Sequence, residues 1–122
     1  MKTTLSILSL VTLLSAGVAS ASELACRGER IERGSSTWGY ARAAGSDYRI
    51  EKGSSTVGWA KSANGGWRIE TAGGSTLGWL KGRSIERAGG SSWARLGRAK
   101  NFAECRGPVA AALWVLKRKG QL

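Results

Sequence analysis

The chain has 122 residues, with 19 Lys and Arg against 8 Asp and Glu, no His, two Cys, 18 Gly and six Trp. One domain is the expectation at that length. Without His the commonest general base and metal ligand are missing, and two Cys cannot complete a four-ligand zinc site, so composition argues against a zinc enzyme and against Ser-His-Asp or Cys-His hydrolases.

Residues 1–21 read as a cleaved signal peptide. Lys2 supplies the positive start, Leu5 to Leu14 is a mostly apolar run, and Ala19-Ser20-Ala21 places small residues where a signal peptidase cuts. The run falls short of the roughly 20 apolar residues a bilayer span needs. Glu23 stands where a lipobox would carry Leu, which argues against lipidation of Cys26. The expected location is therefore secreted or periplasmic. Cleavage would leave 18 basic residues against 8 acidic ones, a net charge of +10. Export permits disulfides, and Cys26 with Cys105 is the one intrachain pair possible.

Residues 22–106 form a β-repeat domain by their pattern. Arg30-Ile31-Glu32, Arg49-Ile50-Glu51, Arg68-Ile69-Glu70 and Ser84-Ile85-Glu86 recur at steps of 19, 19 and 16 residues. Each is followed by a Gly-Ser segment and then by a second short segment, such as Val57-Gly58-Trp59-Ala60-Lys61. Four such copies signal modular architecture. Apolar and charged residues alternate in the first segment of each copy, as in Tyr48/Ile50 against Arg49/Glu51, which is the pattern of a half-buried strand. The Gly-Ser pieces are turn chemistry, as are 44–47 and 63–66, and Lys81-Gly82-Arg83 fits a tight hairpin. The expectation is all-β: an eight-stranded antiparallel meander, closed as a small barrel or strongly curved, built from four two-strand repeats of about nineteen residues.

Residues 107–122 change character. Pro108 suits a first helical turn, Val109 to Lys119 favours helix, Lys117, Arg118 and Lys119 suit the helix C-terminus, and Gly120 can end it. Val109, Leu113 and Leu116 share a stripe. The expectation is a helix that plugs the sheet, with an interfacial membrane helix over 109–119 as the alternative, because Trp114 and the basic tail suit anionic lipid.

No catalytic constellation emerges, and no cofactor or metal site. Glu32, Glu51, Glu70 and Glu86 hold one repeat position, three of them with Arg two residues earlier. That reads as an outer-face ion-pair network rather than as the differently placed carboxylates of a glycosidase. The Gly-Ser turns lead into strands, so they lack the helix that a phosphate-binding loop opens. What remains is aromatic and basic together: Trp38, Tyr40 and Arg42, then Trp59 with Lys61, then Trp79 with Lys81. Alternation puts each ring two residues before a cation on one side of a strand. Such a stripe suits stacking and anion contact, although Trp is more usually the core of a small domain. The expected function is a non-enzymatic binding module for an anionic polymer, glycan or other envelope component. The rival readings are a protein-interaction or inhibitor domain using the turns at 44–47 and 63–66, and a membrane-active basic protein.

Overall fold

Alternation in the Arg-Ile-Glu segments fixes the two faces of the sheet. In the computed structural model, which describes residues 22–122, Ile31, Ile50, Ile69 and Ile85 all have zero exposure, and the flanking residues, charged except for Ser84, point the other way. Ten strands result: β1 Leu24–Arg27, β2 Arg30–Arg33, β3 Ser36–Ala44, β4 Asp47–Lys52, β5 Ser55–Ala63, β6 Gly66–Thr71, β7 Thr76–Lys81, β8 Ser84–Arg87, β9 Ser92–Arg95 and β10 Ala103–Glu104. A short helix, α1 (Leu96–Phe102), separates β9 from β10, and α2 (Gly107–Arg118) ends the fold.

The meander is present, but with ten strands rather than eight, and it does not close. Strand order is β10-β1-β2-β3-β4-β5-β6-β7-β8-β9, so β9 and β10 remain two free edges. The extra strands lie outside the repeating pattern. Leu24–Arg27 turns through Gly28-Glu29 to pair with β2, and the two residues of β10 join β1 in parallel. Between the edges sits α1, whose first amide, at Leu96, donates to the carbonyl of Arg83.

Turn chemistry sets the hairpins. Gly53, at φ +64°, opens the two-residue turn between Lys52 and Ser55, where a glycine-first turn matches strand twist. Asn64 and Gly65 both have positive φ, 47° and 77°, the Asn-Gly form of the same device.

A bulge recurs in four strand pairs and changes which residues face inward. The register slips between Ile31 and Glu32, Ile50 and Glu51, Ile69 and Glu70, and Ile85 and Glu86. Each slip leaves one unpaired residue on the following strand: Trp38, Val57, Leu77 and Trp93. An added residue breaks simple alternation. All four side chains accordingly belong to the core or pack against it, and Trp38 is 8% exposed. Trp38 is thus a core residue, not a neighbour of Tyr40 and Arg42 on an outer stripe.

The sheet wraps around α2. Every residue from Val109 to Leu116 is buried, and α2 touches β4, β5, β6, β7 and also β10 at the far edge. A helix apolar on all sides must be surrounded. The strands make room with small inward residues. A methyl group on Gly58 would stand 2.7 Å from both Leu116 Cδ atoms and 2.8 Å from the Glu70 carbonyl oxygen. Ala60, Ala110, Ala111 and Ala112 have no exposure at all. The plug expectation therefore matches the packing. The membrane alternative over 109–119 does not, because the side chains it would insert are already inside. No helix among the described residues is long and apolar enough to cross a membrane. The expected signal peptide, residues 1–21, lies outside the described residues.

Cys26 on β1 and Cys105 just after β10 form a disulfide, with Cα atoms 5.0 Å apart and 79 residues between them in sequence. The bond ties the start of the sheet to the segment leading into α2, and it points to an oxidising compartment.

Two outcomes are expected. Replacing both cysteines by Ser lowers stability by about 2–5 kcal/mol in urea titration, and the wild-type protein shows no free thiol by mass. Ile69→Ala costs about 2–5 kcal/mol through the cavity it leaves against α2.

Candidate functional site: the outer face of the sheet

On the outer face, strand register arranges the charged and aromatic residues in oblique rows. One row runs Arg42, Arg49, Trp59, Glu70 across β3 to β6. The next runs Lys61, Arg68, Trp79, Glu86 across β5 to β8. A shorter one runs Arg30, Tyr40, Glu51. The first two rows share one order: cation, cation, ring, carboxylate. Each ring is displaced from the previous one by two strands and two residues, about 12 Å from standard strand spacings.

Each ring is flanked by cations. The Arg42 guanidinium lies 4.2 Å from the centre of the Tyr40 ring. Lys61 Nζ is 4.8 Å from Trp59 and Lys81 Nζ 5.1 Å from Trp79. From the adjacent strand, Arg49 and Arg68 each stand 5.9 Å from Trp59 and Trp79. Tyr40, Trp59 and Trp79 are part-exposed, in contrast to Trp38. Six of the seven residues expected at a ligand surface thus come together. Arg49 and Arg68 join them, although alternation alone assigned them only to a salt-bridge face. Their place beside the rings follows from cross-strand register, which a linear reading does not supply.

The glutamates hold the cations in place. Glu51 accepts hydrogen bonds from the Nε atoms of Arg42 and Arg49, both at 2.9 Å. Glu32 is held by Arg27 at 2.8 Å and Arg30 at 2.7 Å. Glu70 accepts from Arg68 and lies 3.7 Å from Lys61. The pattern is a network in which each of these carboxylates meets an Arg of its own strand and a cation of the neighbouring one. Glu70 departs from the expectation of an exposed surface pair: it is 4% exposed, covered by the partners that grip it. Glu86 has no such grip, because Ser84 replaces the Arg of the other copies.

The network lowers the pKa values of Glu51 and Glu32. The Arg42 and Arg49 hydrogen bonds hold Glu51 below its usual value of 4.5, against a smaller opposing effect of burial. Glu32 is lowered likewise, chiefly by its hydrogen bond from Arg27. The same contact raises Arg42, so it stays charged. The face is therefore an array of fixed opposite charges with rings set between them. Among the described residues no group of three or more His, Cys, Asp or Glu is placed to hold a metal ion.

Two other features border this face. Tyr48 and Trp67 pack 5.6 Å apart against the core, and Arg106 donates to the Tyr48 hydroxyl at 2.7 Å. They line or adjoin a cleft of about 280 Å³ that includes Ala41, Ala43 and Val109.

Acid titration tests the network. A carboxylate with a lowered folded-state pKa stabilises the protein above its unfolded pKa, and that stability is lost as pH falls through the folded value. Wild type is expected to exceed Glu51→Gln in stability at pH 7, with the gap closing progressively below about pH 4.5. Denaturant titrations of both proteins across that range read it directly. Glu70→Ala, which strips the buried partner from Arg68 and Lys61, is expected to cost about 1–3 kcal/mol at neutral pH.

No protein-family model matches the chain, and neither a curated protein nor a solved structure matches it.

Proposed function

We propose that the protein is a non-enzymatic binding module of the cell envelope or extracellular space, and that it holds an extended glycan on the outer face of its sheet. One observation carries this reading: Tyr40, Trp59 and Trp79 stay on the solvent side, evenly spaced, while the inward neighbours of each ring are Gly39 and Ala41, Gly58 and Ala60, and Gly78 and Leu80. Rings needed only for the core would point toward α2. Outward aromatic faces offer stacking surfaces to sugar rings, and the neighbouring cations reach anionic or hydroxyl substituents.

The spacing supports an extended polymer. Steps of about 12 Å are too wide for a continuous base stack, which advances about 3.4 Å per nucleotide along a duplex strand. They suit a ligand that presents a ring face at intervals. The glutamates tune the surface, since Glu51 and Glu70 each offset two cations, so the face is patterned in charge rather than uniformly positive. Stacking then carries affinity and charge sets orientation.

The test measures affinity for a panel of soluble envelope polysaccharides, neutral and anionic. Removing a ring from the surface is expected to weaken binding by about 1–3 kcal/mol, the range for base stacking on aromatic side chains. Trp59→Ala and Trp79→Ala remain folded by melting and lose that affinity for at least one polymer of the panel. A folded double variant that binds every polymer as wild type does would overturn the reading and favour a protein partner at the 44–47 and 63–66 turns.

A further inference from the structure

Charge is unevenly divided along the chain. Residues 22–91 hold eleven basic and seven acidic residues, whereas residues 92–122 hold seven basic and one acidic. The ion pairs follow that division. Arg27, Arg30, Arg33, Arg42, Arg49, Lys61 and Arg68 each meet a carboxylate, and all of them precede residue 92. Among the described residues, none of the seven cations after residue 91 has a side-chain carboxylate within ion-pair distance.

The fold gathers four of these seven, Arg98, Lys117, Arg118 and Lys119, at the seam between the two edges of the sheet, where Arg87 of β8 joins them; its guanidinium donates to the Ser92 carbonyl at 2.6 Å and meets no carboxylate among the described residues. Helix α1 fills the seam and packs on α2. Arg98 of α1 lines one cleft of about 570 Å³ together with Lys117, Arg118, Phe102 and Trp114. A second cleft, of about 280 Å³, has Arg87 and Lys119 on its walls beside Trp93. Trp93 of one cleft and Trp114 of the other pack edge to face, with their centres 5.3 Å apart, so the two clefts are neighbours. Arg118 and Arg87 lie over these same rings, at 4.9 and 5.3 Å. All five cations are exposed, on backbone held by a buried helix and a paired strand. The helix dipole accounts for Lys117 and Arg118 at the end of α2, but not for Arg87 or Arg98. The acidic residue of the larger cleft, Glu23, is already engaged by Arg33 at 3.1 Å.

We infer that this seam binds a linear polyanion carrying phosphate at each repeat. Three of the five cations are Arg, whose planar fork matches two phosphate oxygens at once. Two neighbouring clefts suit successive groups of one chain. A bilayer surface fits poorly, because no large apolar side chain of the clefts is fully exposed: Leu77, Trp93 and Phe102 are only part-exposed and Trp114 is 4% exposed. The seam uses none of the rings of the outer face, and neither surface needs the other.

Inorganic polyphosphate is the probe, titrated into the purified protein at several salt concentrations. Binding is expected to fall steeply with salt. Arg98→Ala and Arg118→Ala should each reduce the log–log slope by about 0.7–0.9, and the two together with Lys117→Ala should weaken binding at least tenfold at low salt. Lys52→Ala, which removes one exposed charge elsewhere, should leave the slope unchanged. Melting curves confirm that each variant is folded. Equal binding of polyglutamate at matched charge, an equal effect of Lys52→Ala, or binding to anionic phospholipid vesicles without binding to polyphosphate would each overturn the inference. The outer-face rings are intact in every one of these variants, so a failure here leaves the polysaccharide result standing, and the reverse also holds.

Discussion

Burial of α2 on all sides is the constraint from which the architecture follows. Val109 to Leu116 offers no polar face, so one flat sheet could cover only half of it. A sheet that reaches α2 from β4 to β7 and again from β10 must curl around the helix. Curling has local requirements. Gly39, Gly58 and Gly78 stand where the next strand comes close: a methyl group at Gly39 would lie 2.0 Å from the carbonyl oxygen of Glu51, and one at Gly78 would lie 2.6 Å from that of Glu86. The four bulges add twist at the same level of the sheet. The helix thus dictates small inward residues on β3 and β5, where the rings fall at the bulge or on the outside, while Tyr48 and Trp67 pack on the core from β4 and β6.

The same constraint explains why the sheet stays open. A closed barrel of this size is filled by its own side chains. Here the interior holds a helix that arrives last in the chain and must enter. The seam between β9 and β10 is spanned by α1, and the Cys26–Cys105 bond fixes the strand on one side of that entry to the segment leading into α2. The bond and the seam are two parts of one closure.

Much of this was legible in the residues. Alternation identified the buried isoleucines, the glycine and asparagine turns gave the hairpins, and elimination gave the disulfide. Three features were hidden for physical reasons. Leu24–Arg27 and Ala103–Glu104 are too short for a periodic signal, and Ala103–Glu104 becomes a strand only by pairing with β1 across a long sequence separation. The alanines of α2 look like a weakly polar side to a helical stripe analysis, yet Ala110 to Ala112 have zero exposure because strands approach from that side too. A bulge is a relation between two strands, so no single segment announces that Trp38 leaves the side of Tyr40. The cation–ring contacts of Arg49 and Arg68 were unreadable for the same reason.

The glutamates decide how the positive charge is distributed. Without them the outer face would carry six or more cations close together, and their mutual repulsion would oppose the wrapping of the sheet. Placing one carboxylate between cations on neighbouring strands converts that repulsion into cross-strand attraction. The pattern stops where the copies diverge. Ser84 replaces the Arg that would grip Glu86, and beyond β8 the basic residues meet no acidic partner. The self-repulsion that the sheet suppresses is tolerated at the seam, on exposed side chains that solvent screens. Selection for folding alone would favour spreading the glutamates evenly. With Glu104 the one acidic residue after residue 91, the molecule has one charge-compensated aromatic face and one uncompensated basic seam.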